Sequence, residues 1–419
     1  MSDEHILSYD EAVNEVAVHA AGLSPTQPPS RVPLAVAHQR VLAEDVRTPR
    51  ALPPFDRATR DGFAVRAAEV DHALLVKGLL RAGQPGATTP LASREAVEIM
   101  TGAPMPPGAD AVLMIEHTER IGERICAAEG RTLKAGDNVV PRGSEAAEGT
   151  VIVSAGVRLG AAQIAAAASC GLPDLLVFGR SNIAIFATGD ELIEPGQPVL
   201  DYQIFNSNAY SLAEQVLDAG GEPQIHRTLS DNLAATEQAI ASAQTKSNPA
   251  DLLLFSGGVS MGKFDCVETA LRNRGAEFFF TGVRIQPGKP LVFGALPPVG
   301  GNPVTGTPQY FFGLPGNPVS TLVTFSLFAR LLIAALAGQR DYAVPFMSAA
   351  LAEEVHSKPG LTRFLPAMVH HAIAGPTVRI VPWQGSGDLA ALARSNAFLV
   401  IPPNREVFRA GEAMTVLLR

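Results

Sequence analysis

Four carboxylates and several glycine-rich turns follow apolar runs in the central part of the chain, and together they suit the handling of a phosphorylated ligand. The apolar run 182–187 leads into Thr188-Gly189-Asp190-Glu191, and the run 223–229 leads into Ser230-Asp231. The run 251–255 leads into Ser256-Gly257-Gly258-Val259-Ser260-Met261-Gly262 and then Asp265, and the run 310–313 into Leu314-Pro315-Gly316-Asn317-Pro318-Val319-Ser320. Glycine lets backbone N–H groups come close to a phosphate. A helix starting at Asn317-Pro318 adds a dipole that favours an anion. The acids Asp190, Glu191, Asp231 and Asp265 would repel that anion by themselves. A Mg²⁺ between carboxylate and phosphate removes the conflict, because Mg²⁺ takes one or two carboxylates together with water and phosphate oxygens. Helix capping is the competing reading of each acid, most of all Asp265, which precedes a helical segment. Lys289, in Gln286-Pro287-Gly288-Lys289-Pro290, reads either as an oxyanion ligand or as an exposed turn lysine.

A second chemistry is also written here. Gly258-Val259-Ser260-Met261-Gly262 fits G-x-S-x-G between a strand and a helix, the setting of a hydrolase nucleophile elbow, with His356, His370 or His371 following in triad order. Lys263 and Phe264 lengthen the turn beyond what an elbow needs, which favours the phosphate reading. The histidines show no HxxxH or HxH spacing, so no zinc site is read. Trp383 reads as core packing.

Residues at successive strand ends need a sheet to bring them together. From 180 onward, strands and helices alternate: strand 182–187, helix 207–219, strand 223–229, helix 232–244, strand 251–255, helix 265–274, strands 276–284, 291–293 and 310–313, and a helix from Asn317. This order predicts a parallel, doubly wound α/β sheet, whose ligands lie beyond the carboxyl ends of its strands. Before it, Ser8 and Glu11 form a capping-box signature for a first helix. Short β segments at 62–65, 73–80, 96–100 and 111–115 indicate a β-rich module inserted between helical pieces. An Ala-rich helix over 161–170 is closed by Gly171. The stretch 294–309 reads as a long surface loop, and 345–419 as a small β domain.

The whole-chain figures fit this organisation. The chain has 419 residues, 47% of them apolar, enough for several cores. Lys and Arg number 33 against 41 Asp and Glu, a net charge of −8, without the basic footprint of a general nucleic-acid binder. Three dispersed cysteines exclude a disulfide framework. The acidic, polar start is not a secretory signal. The apolar stretch 322–337 contains Arg330 and reads as a buried helix rather than a membrane span.

The motifs resemble those of the molybdopterin molybdenumtransferases, the MoeA-type proteins that share a fold with the gephyrin E domain. The resemblance covers nearly the whole chain. It is carried by Pro53-Pro54-Phe55-Asp56 with Arg60-Asp61-Gly62-Phe63-Ala64-Val65, Met100-Thr101-Gly102-Ala103, Gly108-Ala109-Asp110-Ala111-Val112 and Thr188-Gly189-Asp190-Glu191-Leu192. It continues through residues 256–262, Pro287-Gly288-Lys289-Pro290, residues 313–320, and Gly385-Ser386-Gly387 with Leu389. Each motif is weak alone, and their shared order carries the resemblance.

The resemblance implies an α/β multidomain chain. An elongated linker and dimerisation domain (1–30 and 142–179) would carry a β-rich inserted domain (31–141), followed by a central molybdopterin-binding α/β three-layer domain (180–342) and a C-terminal β-barrel domain (343–419). It implies a cytoplasmic, L-shaped homodimer, with the active site between the α/β domain of one subunit and the inserted domain of the other. The implied reaction is the Mg²⁺-dependent insertion of molybdate into adenylylated molybdopterin, releasing AMP and molybdenum cofactor. Implied protein contacts are the molybdopterin adenylyltransferase and apo-molybdoenzymes, with no nucleic acid and no membrane.

Residue by residue, Glu191, Asp231 and Asp265 match acids that handle metal and adenylyl phosphate, and Asp61 and Thr101 match functional positions of the inserted domain. Lys289, Ser320, Arg363 and Ser386 match a molybdate pocket, while Ser256, Gly257, Gly258, Ser260, Pro315 and Pro318 fall in the ligand-binding motifs. Gln286 stands where many relatives have a basic residue, Phe63 where Tyr is frequent, and Glu145 where Asp is. The competing readings are a non-catalytic, gephyrin-like scaffold, a tungstate-preferring enzyme, and the adenylyltransferase that precedes this step. The acid cluster favours the enzyme over a scaffold, and the domains outside 180–342 count against the adenylyltransferase.

Overall fold

Along Asn182–Ala187, Ile183, Ile185 and Ala187 enter one apolar cluster, while Ala184 and Phe186 enter another. The same alternation recurs along Leu252–Ser256, where Leu252 and Leu254 oppose Leu253 and Phe255. Side chains of a strand alternate between faces, so a strand that is apolar throughout must be covered on both sides. The computed structural model describes residues 5–244, 249–258, 266–298 and 308–419.

Helices supply the two covers. Asn208–Ala219 buries Leu212 and Val216 on one face, joined there by Tyr9–Ala21 and by the apolar helix that begins at Pro318. Leu233–Ala243 and Cys266–Asn273 bury Ile240, Val267 and Leu271 on the other. The result is a three-layer α/β arrangement. Its six strands run in the order Glu222–Ile225, Asn182–Ala187, Leu252–Ser256, Gln309–Leu314, Val292–Leu296, Glu277–Phe280.

The first four strands are parallel. Val292–Leu296 is antiparallel to both of its neighbours, which corrects the expectation of a wholly parallel sheet. No crossover helix separates it from either neighbour among the described residues, and strands joined without a crossover pair antiparallel. The strand extends to Leu296, inside the stretch read as a loop, while 299–307 lie outside the described residues.

The local signals at helix ends are realised. The Ser8 hydroxyl accepts the Glu11 N–H, and the Glu11 carboxylate accepts the Ser8 N–H, completing the capping box. Gly220 closes Asn208–Ala219 with φ +95°, a left-handed conformation that suits glycine. The helix from Pro318 runs through a five-residue π-helical segment, Phe325–Ala329, into Arg330–Leu336. Pro318–Leu336 is long and apolar enough to cross a membrane by length and composition, but 78% of it is buried in the core.

The chain divides into two compact units. One comprises residues 1–43, 156–160 and 174–419, and therefore holds both the α/β sheet and the C-terminal strands. In the latter, Thr362–His370, Thr377–Ile380, Phe346–Leu351, Ala413–Leu418 and Ala397–Ile401 pair in sequence, and Ala397–Ile401 pairs back with Thr362–His370 to close a five-stranded barrel. Ile285–Gln286 joins this barrel edge in parallel with Thr362–Arg363.

The other unit comprises residues 44–155 and 161–173. Its six-stranded sheet runs Ala111–Met114, Gly62–Val65, Glu95–Ile99, Leu74–Leu80, Arg124–Ala127, Thr118–Ile121. The outer hairpin Thr118–Ile121 and Arg124–Ala127 was absent from the sequence pattern, because three of the residues in Thr118–Ile121 are exposed and no apolar alternation marks it. Phe63 is buried in this unit's core, and Glu145 forms a 3.0 Å surface ion pair with Arg57.

Candidate active site

The chain leaves Asn182–Ala187 through Asn208–Ala219 to the neighbouring strand Glu222–Ile225, then crosses through Leu233–Ala243 to Leu252–Ser256 on the opposite side. The connections therefore diverge at Asn182–Ala187, and a crevice opens where they do. A cleft of about 820 Å³ lies there. Backbone bonds sew its floor together: Thr188 N–H donates to Ser256 O, Gly189 N–H to Leu229 O, and Gly257 N–H to Leu314 O.

Glu191, Asp231, Ser256, Gly257, Gly258, Pro315 and Pro318 all line this cleft, so seven of the expected residues meet at one place. Asp265 and Ser260, the latter also the serine of the alternative hydrolase reading, lie outside the described residues. Lys289, Ser320, Arg363 and Ser386 are not among the lining residues. Lys289 is exposed and immediately precedes Pro290, which does line the cleft. Ser386 precedes the lining residue Gly387, and its carbonyl accepts the Val319 N–H, so one N–H at the start of the helix is already taken. Ser320 is buried at 3% exposure within the first turn of that helix. Arg363 pairs in register with Gln286 and donates to Lys358 O.

The capping reading of Asp231 does not hold. The cap of Leu233–Ala243 is Asn232, whose side-chain oxygen accepts the Ala235 N–H. Asp231 instead offers its N–H to the Asp190 carboxylate at 3.2 Å. Burial pushes its own carboxyl pKa up, and the neighbouring charges of Asp190 and Glu191 push it further. Such mutual repulsion is what a bound divalent cation would relieve. The described residues contain no cluster of three His, Cys, Asp or Glu that forms a complete metal cage. Two carboxylates facing an open cleft fit Mg²⁺, which keeps water and ligand oxygens in its shell. No Lys or Arg occurs among the described residues lining the cleft, so a bound anion must find its positive charge in a cation or from outside the lining.

Several residues of this site carry no signal in the sequence. Asn206, Thr228 and Tyr210 all donate to the Glu194 carboxylate. The Thr228 hydroxyl is the largest influence holding that carboxyl below its usual range, ahead of Asn206 and Tyr210. Asn208 bonds to both Ser256 and Gly316. Among the described residues, the Thr188 hydroxyl is buried against the glycine turn with no hydrogen-bond partner.

In the second unit, the expected pair Asp61 and Thr101 is in direct contact. Thr101 N–H and hydroxyl donate to the same Asp61 oxygen at 2.7 and 2.8 Å. The backbone bond first, then the hydroxyl, holds the Asp61 pKa below the usual carboxylate value. The stabilisation from this pair is therefore present above the unfolded carboxyl pKa of ~4, and is lost as pH falls through the lower folded value. Thr101→Val keeps the shape and removes one donor. A carboxyl NMR titration should then show the Asp61 midpoint rising towards the ordinary value, and an unmoved midpoint would assign the whole effect to the backbone bond.

A three-layer α/β sheet with an acid-bearing cleft at its topological switch point, joined to a closed barrel and a separate β-rich unit, defines a multidomain α/β ligand-binding protein. Comparison with known proteins refines this class. Residues 7–171 match the MoeA N-terminal region (domain I and II), 184–335 a probable molybdopterin binding domain, and 348–418 the MoeA C-terminal region (domain IV). The molybdopterin molybdenumtransferase of Haemophilus influenzae is 33% identical over 91% of this chain and 92% of its own. Molybdopterin molybdenumtransferase 2 of Mycobacterium tuberculosis is 34% identical over 93% and 94%. The solved structure of the molybdopterin biosynthesis MoeA protein from Pyrococcus horikoshii superposes with a TM-score of 0.79 at 28% identity, covering 99% of this chain and 100% of that one. The chain belongs to the MoeA family of molybdopterin molybdenumtransferases.

Proposed function

We propose that this chain inserts molybdate into adenylylated molybdopterin with the help of Mg²⁺, releasing AMP and molybdenum cofactor. It is a transferase of molybdenum-cofactor biosynthesis, by membership of a family whose curated relatives are named molybdopterin molybdenumtransferase and align over 90–92% of this chain. The observation that carries the finer reading is the cleft itself, where Glu191 and Asp231 face the Gly257-Gly258 turn with no basic residue among the described lining. Glu191 and Asp231, with Asp265, would hold the Mg²⁺. Bound there, the ion would neutralise charge on the adenylyl phosphate as the anhydride bond breaks.

The chain's own groups bind and orient the rest. Ser256, Gly257, Gly258, Pro315 and Pro318 shape the wall on which the ligand lies. The barrel-edge pairing of Ile285–Gln286 with Thr362–Arg363 holds Gln286 and Arg363 side by side, three residues before Lys289. This edge, with Ser386 and Ser320, is our candidate for the molybdate oxyanion, which suits guanidinium, ammonium and hydroxyl donors. Gln286 adds a neutral donor there. Asp61, its carboxyl held below the ordinary range by Thr101, would supply a second carboxylate to the reaction.

A homodimer fits the exposed apolar run that enters the cleft lining at Ile204 and Phe205, where Leu200, Tyr202 and Ile204 are 55%, 74% and 58% exposed. Contiguous exposed apolar surface of this kind marks an association site. The few, dispersed cysteines Cys126, Cys170 and Cys266 fit a cytoplasmic setting.

The test uses purified protein with adenylylated molybdopterin, Mg²⁺ and molybdate. AMP release and reconstitution of an apo-molybdoenzyme are followed together. Molybdate-dependent turnover that stops on chelation of Mg²⁺ is the expected result. Tight binding of substrate with no AMP released would point to a scaffold, and turnover with tungstate alone would reassign the metal.

A further inference from the structure

Asn208 is the first residue of the helix Asn208–Ala219, yet its side chain takes no part in capping that helix. Ser207 has helical dihedral angles and makes no capping bond with its side chain. The role passes to Asn206, whose side-chain oxygen accepts the Ala209 N–H. Asn208 is thereby released to reach across the cleft. Its amide nitrogen donates to the Ser256 hydroxyl at 2.8 Å and to Gly316 O at 2.7 Å.

Ser256 ends Leu252–Ser256, and Gly316 follows the adjacent strand Gln309–Leu314. The segment carrying Asn208 descends from Asn182–Ala187 on the other side of Leu252–Ser256. One side chain therefore ties the start of this helix to the carboxyl ends of two adjacent strands, at the switch point where the cleft opens. All three residues line that cleft.

The direction of the first bond has a chemical consequence. The Asn208 amide nitrogen is only a donor, so Ser256 Oγ must accept. A serine oxygen that has accepted this bond still carries its own hydrogen, which cannot be returned to Asn208. We propose that Asn208 is a positioning residue that commits the Ser256 O–H as a donor to a phosphate oxygen of the bound adenylyl group. This assignment rests on the function proposed above and deepens it, naming the protein group that meets the phosphate where no lysine or arginine lines the described wall. A donor fixed in advance towards an anion needs no reorganisation when the ligand arrives.

Asn208→Asp reverses the arrangement at constant shape. An aspartate oxygen accepts, so the Ser256 hydrogen turns to residue 208 and away from the ligand. The experiment is calorimetric titration of AMP, in Mg²⁺ buffer, into the wild-type chain, Asn208→Asp, Ser256→Ala and the double variant, with thermal unfolding as the check on folding. Each single variant should bind AMP roughly tenfold more weakly, the size of one hydrogen bond to a charged group. The double variant should bind no more weakly than the poorer single, because both changes delete the same bond. Asn208→Ser carries the same expectation should the aspartate variant fail to fold.

Losses that multiply in the double variant, or wild-type affinity in Asn208→Asp, overturn the proposal. Failure of the functional reading looks different: the wild-type chain would produce no molybdenum cofactor while the coupling between Asn208 and Ser256 persisted in AMP binding. A wild-type chain that binds no AMP overturns both.

Discussion

Replacing Glu191 by Gln should reduce AMP release from adenylylated molybdopterin by two to three orders of magnitude, about the loss seen when one preorganised electrostatic group is removed from a reaction centre. The side chain is exposed, lines the cleft and lies close enough to Asp231 to help raise that residue's pKa. Its charge therefore opposes the ionisation of Asp231 in the protein alone. Glutamine keeps the shape and deletes the charge, so the ligand-free protein should unfold at an unchanged or slightly higher temperature. Functional sites often hold such locally destabilising charge. The assay pairs AMP release with thermal unfolding. Undiminished turnover would remove Glu191 from the mechanism, whereas a lowered melting temperature would show that its carboxylate holds the fold rather than the ligand.

Gly257→Ala should cost both stability and ligand binding. Gly257 has φ +89°, a conformation that costs a residue with a side chain roughly 1–2 kcal/mol. A methyl group there would stand 2.8 Å from the Thr188 carbonyl, a backbone atom that cannot rotate away. Thr188 and Gly257 belong to adjacent strand ends whose bonds form the cleft floor, because Thr188 N–H donates to Ser256 O. Relief of the contact must move the floor. We expect destabilisation by about 2–3 kcal/mol, combining conformational strain with backbone displacement. AMP binding should fall at least as far as in the Ser256→Ala variant. The comparison with Gly316→Ala is informative, since a methyl group at Gly316 would meet nothing closer than the Gly257 Cα at 3.5 Å. Equal losses in the two variants would mean that the close approach of Gly257 to Thr188 has no part in the effect.

The sequence was most legible where one short stretch contains everything that decides its conformation. Ser8 and Glu11 are three residues apart, and their reciprocal bonds need only the helix they begin. Gly171 and Gly220 end their helices for the same local reason, through positive φ. Apolar runs that end in Thr188-Gly189-Asp190-Glu191 and in Ser256-Gly257-Gly258 identified the edge that the strands present to a ligand, because parallel strands bury both faces and expose only their ends. Motif order along the chain was sufficient to identify the family.

What only the tertiary structure decided are pairings between distant residues. Whether Asp231 caps a helix or faces other carboxylates depends on Asp190, 41 positions away. Glu194 is held by Thr228, 34 positions away, and Ser256 by Asn208, 48 positions away. Nothing in the type of these residues announces a partner, since Asn and Thr can serve as caps, turns or exposed polar groups equally well. The reversed direction of Val292–Leu296 depends on what joins it to its neighbours, not on its own residues. A sequence therefore determines which segments are strands, helices and turns, and which chemical groups stand at their ends. Which of those groups touch is decided by crossing order and register, because hydrogen bonds and charge coupling act over a few ångströms in space, whatever the distance along the chain.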